Sequence, residues 1–197
     1  MIAGLVALFF FWSVNPGIQG EAPLSHIVGT AAFVFLIVRE DLRAMRIPNL
    51  LTLPGLVLAL GLAAATGGLA GAERAALGAC AALGIFFLPF ALRWLGAGDV
   101  KAAMVLGALW GPIAFAGMAW WMIVIGGLLA VALIAMQPGG LPDLLRRWGR
   151  SAWYSLRMRR LVYLPPGEGS VAGSGLPFAV AMGLGCAAFQ IWGGPWN

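Results

Sequence analysis

Five apolar runs, each close to the length of a bilayer crossing, divide this chain and leave little sequence between them. They cover residues 24–40, 50–66, 75–95, 113–136 and 175–192, and two shorter runs cover 1–14 and 99–110. A helix needs about 20 apolar residues to cross a hydrocarbon core about 30 Å thick. The breaks carry turn chemistry: Asn15-Pro16-Gly17, Pro48-Asn49, Gly67-Gly68, Gly111-Pro112 and Pro138-Gly139-Gly140. Strict period-two alternation is missing, which argues against a membrane β-barrel. With 61% hydrophobic and 10% charged residues, a soluble domain of this size has too little polar surface to cover itself. The expected fold is all-α, a polytopic transmembrane helical bundle with about six to seven membrane helices. Residues 1–197 are expected to form a single integral membrane domain.

The short run at 1–14 has neither a basic n-region nor a convincing small-residue cleavage site, so it reads as a first membrane helix rather than a signal peptide. Cys80 and Cys186 lie in apolar runs with no CxxC partner and are expected to be packed thiols, not zinc ligands. Small-xxx-small pairs such as Gly61/Ala65 and Gly78/Ala82 are expected to let helices approach closely. No internal repeat points to a transporter built from inverted halves.

The net charge of +5 points to cytoplasmic loops rather than to nucleic acid. Arg39, Arg43 and Arg46 flank one boundary, Arg93 and Lys101 a second, and a third cluster runs from Arg146 to Arg160. The loops at 19–25 and 67–74 carry only Glu21, Glu73 and Arg74. The positive-inside rule therefore puts the basic boundaries in the cytoplasm. Two crossings, 50–66 and 75–95, separate Asp41 from Asp99, so both emerge on one face. Within the basic loop at 137–174, Leu141, Leu144, Leu145 and Trp148 recur at helical spacing while Arg146, Arg150 and Arg157 fall elsewhere. That pattern predicts an amphipathic helix lying on the cytoplasmic leaflet and attracted to anionic lipid, with substrate docking as the other use of the surface.

Taken singly, each aspartate has a structural explanation. Asp99 follows glycine at a helix start and fits an N-cap, while Asp41 ends a helix beside Arg39 and Arg43. Taken together they are harder to explain so. An acid near lipid costs on the order of 3 kcal/mol or more, and those that persist face a polar cavity. Two neighbouring carboxylates share a proton, so one acts as base on water and the other as acid toward the leaving amine. Gly96 and Gly98, lacking Cβ atoms, are expected to let an extended substrate approach Asp99. Other hydrolytic sets fail: His26 belongs to the external face and Ser174 to the cytoplasmic one, and H-E-x-x-H is absent.

The pattern Asp41-x-Arg43-x-x-x-Ile47-Pro48-Asn49, with Gly96-x-Gly98-Asp99-x-Lys101 further on, resembles the signature of type IV prepilin peptidases. Leu176-Pro177-Phe178 and the residues after it are similar to the opening of that family's final helix, so the likeness covers roughly residues 33–189. It implies an intramembrane aspartic endopeptidase of the bacterial inner membrane that cuts a basic leader from prepilins at a glycine before their hydrophobic helix. Asp41 and Asp99 would be catalytic, and Arg43, Pro48, Asn49, Gly96, Gly98 and Lys101 would shape the site. Larger members add a cysteine-bearing cytoplasmic domain and methylate the new N-terminus. This chain lacks both the domain and the paired cysteines, so it resembles the short peptidase-only members of tight-adherence (Tad) pilus systems, and methyltransferase activity is not expected. No metal or other cofactor is expected, since two carboxylates and water suffice. Presenilin-like proteases share Gly-x-Gly-Asp, but their Tyr-Asp partner is missing, since Glu40 precedes Asp41. The competing expectation from another class is a non-catalytic transporter or a secretion or pilus assembly scaffold, with the acids serving as helix caps or a cation site.

Overall fold

The computed structural model of the protein describes residues 24–136, 140–158, 160 and 177–194. They form six helices, α1 (Leu24–Ala44), α2 (Asn49–Ala91), α3 (Ala97–Trp110), α4 (Pro112–Ala135), α5 (Gly140–Met158) and α6 (Phe178–Trp192), with no strand among the described residues. The run at 1–14 and Ser174 lie outside the described residues. One compact unit holds the described residues up to Gly126 and from Pro177 onward; those between, from Gly127, form a second. By length and composition, α2 and α4 are long and apolar enough to cross a membrane. The 14 residues of α3 reach only about 21 Å, short of a full crossing.

As one rod, the 43 residues of α2 would be about 65 Å long, twice the hydrocarbon core. Gly68 interrupts it with φ 60° and ψ −145°, a conformation open mainly to glycine. A Cβ on Gly71 would run into the backbone carbonyl of Ala63, so the chain doubles back there into two limbs. The expected loop at 67–74 is thus reduced to this one break: the residues up to Arg74 are helical, because a single glycine makes the reversal.

The returning limb of α2 buries a stripe of small residues, Ala75, Gly78, Ala79 and Ala82, ending in Phe86. Gly78 and Gly107 meet backbone to backbone, and a Cβ on either would collide with the other's carbonyl. Gly61, the other expected contact, faces open space. This close approach lets α3 sit in the centre, where residues on every side of it, from Val100 to Leu109, are buried. Phe86 packs edge to face on Phe115 of α4 and Phe178 of α6, with ring centroids 6.2 and 5.8 Å apart. On the α4–α6 side, Trp121 Nε1–H donates to the Gly193 carbonyl at 2.8 Å. Cys186 is buried near Met118, whereas Cys80, expected to be packed, is exposed on α2.

Candidate active site

The periodicity of α1 decides where Asp41 points. Its buried residues are Thr30, Phe33, Val34, Ile37, Val38 and Asp41, one stripe at helical spacing. Asp41 is the last position on that inward stripe and only 5% exposed, while Arg39 and Arg43 fall outside it and are exposed. At the other end, Thr30 accepts a 2.8 Å hydrogen bond from Trp110 Nε1–H of α3. Asp41 lies eleven residues beyond Thr30, and Asp99 lies eleven residues before Trp110. Each stretch rises about 16 Å. Two antiparallel helices joined at Thr30–Trp110 therefore deliver both carboxylates to one level, where the charge of Asp41 reaches Asp99.

A backbone amide holds one oxygen of each acid. Ala179 N–H, in the first turn of α6, donates to Asp41 Oδ2 at 3.1 Å. Gly96 N–H donates to Asp99 Oδ2 at 3.0 Å. The helix N-cap is Gly96, so Asp99 stands at the third helical position and reaches back, rather than being the cap itself. In both acids, Oδ1 accepts no hydrogen bond from a described residue, leaving one oxygen per carboxylate for water and substrate. Arg39 pairs with its neighbour Glu40 at 3.5 Å and not with Asp41.

The connector after α1 supports this pair. Met45 takes φ 48° and its N–H returns to the Asp41 carbonyl at 2.8 Å, ending α1 and turning the chain toward Ile47. A Cβ on Gly98 would sit 2.8 Å from the Ile47 carbonyl oxygen, so the space at Gly98, expected to admit substrate, is taken by the chain's own Ile47. At Gly96 a Cβ would lie 3.1 Å from Asp99 Oδ2. Pro48 is the N-cap of α2, and its carbonyl accepts from Leu51 and Thr52 N–H. Asn49 Oδ1 accepts from Lys101 Nζ at 2.9 Å, tying the start of α2 to the start of α3.

Of the expected site residues, then, Asp41, Asp99, Gly96, Gly98, Pro48, Asn49 and Lys101 belong to this cluster of helix ends. Arg43, in the last turn of α1, lies at the same end; it is exposed and makes no hydrogen bond or ion pair with another described residue. Sequence reasoning gave no role to two participants. Ile47 has a signal, as an apolar residue in a polar connector. Ala179 acts through its main chain and has none. Apart from these, Thr52 near the start of α2 is 1% exposed and its hydroxyl has no hydrogen-bond partner among the described residues.

A model of the type IV leader peptidase family matches residues 27–137. No curated protein and no solved structure matches the chain. The matched stretch is more than half of the 197 residues and carries both aspartates with the connectors that hold them. The chain belongs to the type IV leader peptidase family.

Proposed function

We propose that this protein is an intramembrane aspartic endopeptidase that removes the leader of type IV pilin-like precursors at the cytoplasmic face of the bacterial inner membrane. The observation that carries the reading is the convergence of Asp41 and Asp99, each with one oxygen fixed by a backbone amide and the other uncommitted. One carboxylate takes a proton from water, whose oxygen attacks the scissile carbonyl carbon. The other, protonated, gives its proton to the leaving nitrogen as the C–N bond breaks. The products are a leader ending in a carboxylate and a mature pilin with a new amino terminus. The cytoplasmic side is supported by Arg39, Arg43, Arg46, Arg93 and Lys101, which lie in sequence at the helix ends that carry the two acids.

The test is co-expression with candidate pilin precursors from the same genome, reading leader loss by mass. Asp41→Asn and Asp99→Asn should each abolish cleavage while the protein remains inserted in the membrane. Wild-type processing by either variant removes the mechanism.

A further inference from the structure

The sequence of helix α5 gathers its leucines and one tryptophan on one side. At 100° per residue, Leu141, Leu144, Leu145, Trp148, Ala152 and Leu156 fall in one sector about 120° wide. Of these, Leu145, Trp148 and Leu156 are 64%, 66% and 78% exposed. Arg146, Arg150 and Arg157 lie on the opposite side with Arg147 beside them, and the helix carries only one acid, Asp143. In water such a helix would leave its tryptophan and leucines uncovered.

We infer that α5 is a binding surface for anionic phospholipid headgroups, lying in the plane of the leaflet with its leucines and Trp148 among the acyl chains. Three observations select lipid over another occupant. First, α5 begins five residues after α4 ends, and five residues reach at most about 18 Å. Since α4 is apolar enough to cross a bilayer, α5 is tethered at the edge of that bilayer. Second, the apolar and basic sides are opposed, so the leucines and Trp148 can enter the acyl chains while the guanidinium forks stay in the headgroup layer, where they match phosphate oxygens. Third, four arginines against one aspartate select a negatively charged ligand, and a basic leader peptide would be repelled. The inference rests on the membrane reading of α4 and is independent of the catalytic assignment.

The test uses the full chain in a Cys80→Ser background, with single spin labels at Leu145→Cys and Leu156→Cys on the apolar face and Asp143→Cys on the polar face. Each is reconstituted into vesicles of phosphatidylcholine alone or with phosphatidylglycerol. With phosphatidylglycerol, labels at 145 and 156 should gain access to oxygen and lose access to a water-soluble nickel complex, while the label at 143 stays accessible to nickel. Replacing Arg146, Arg147, Arg150 and Arg157 by glutamine should lower the docked-to-undocked ratio about five-fold per arginine, and added salt should act in the same direction. The comparison of lipids needs no charge variant, so it stands even where the quadruple variant fails to insert. Equal access of both faces, or equal docking without phosphatidylglycerol, overturns the inference. Shielding of 145 and 156 only on addition of a precursor assigns the surface to a protein and overturns it as well.

Discussion

Replacing Gly98 by alanine tests whether the connector between α1 and α2 sets the position of Asp99. The new Cβ would stand 2.8 Å from the Ile47 carbonyl oxygen, 3.1 Å from its Cβ and 3.4 Å from its nitrogen. Non-bonded carbon contacts are comfortable at about 3.5–4.0 Å, so the two segments must part by about half an ångström. Both sides are backbone, and Ile47 is 4% exposed, so no flexible side chain can absorb the change. Overpacking of this kind costs about 1–3 kcal/mol. Asp99 is the next residue, and a misplacement of about 1 Å at reacting groups can cost about 10²-fold in rate. A half-ångström shift should therefore slow precursor cleavage about ten-fold, with insertion into the membrane retained. Gly84→Ala is the control, since its Cβ meets nothing within 4 Å; its cleavage should match wild type. If Gly98→Ala processed precursor at the wild-type rate and unfolded at the wild-type temperature, the contact with Ile47 would have no part in placing Asp99.

A double-mutant cycle on Asn49→Ala and Lys101→Met should give a coupling of about 1 kcal/mol, below the usual range for a bond to a charged group because the pair is exposed; additive unfolding shifts in detergent would refute the tie. Thr52→Val removes a buried hydroxyl that has no partner among the described residues, so thermal stability should hold or rise by up to about 2 kcal/mol. A clear loss of stability would mean that the hydroxyl is bonded after all. Ala179→Pro deletes the amide that holds Asp41 at a first-turn position where proline is tolerated. Cleavage should fall at least ten-fold, whereas Ala179→Val, which adds bulk and keeps the N–H, should retain most of it; equal losses in both would assign the effect to crowding.

Much of this arrangement is legible because helical periodicity carries it. The buried stripe of α1 can be written down from Thr30, Phe33, Val34, Ile37 and Val38, and it ends on Asp41. The shared level of the two acids is also legible, since the intervening segment turns back at a glycine pair. What could not be read is who occupies the space beside each glycine. A pattern shows that Gly98 tolerates close approach, but substrate and Ile47 are indistinguishable until the connector's path is known. That path depends on Met45 adopting a left-handed conformation, which glycine, asparagine or aspartate would signal and methionine does not. The amide of Ala179, 138 residues from Asp41, leaves no trace either, because every residue but proline carries one.

The helix starts around the acids share an unusual feature that bears on how the pair is held. The N-caps of α2, α3 and α6 are Pro48, Gly96 and Pro177, and none makes a side-chain bond to its own first turn. Serine, threonine or aspartate there would consume a first-turn amide. With proline as cap, the first turn of α6 keeps Ala179 N–H for Asp41. With glycine as cap, Asp99 satisfies the cap's own amide and remains beside the pair. A helix N-terminus carries roughly half a positive charge, so two such ends offset part of the repulsion between two carboxylates gathered at a membrane edge. Forgoing an ordinary cap weakens a proline-capped end by about 1 kcal/mol and a glycine-capped one by a few tenths, and at α6 the amide thereby left free is the one that holds Asp41.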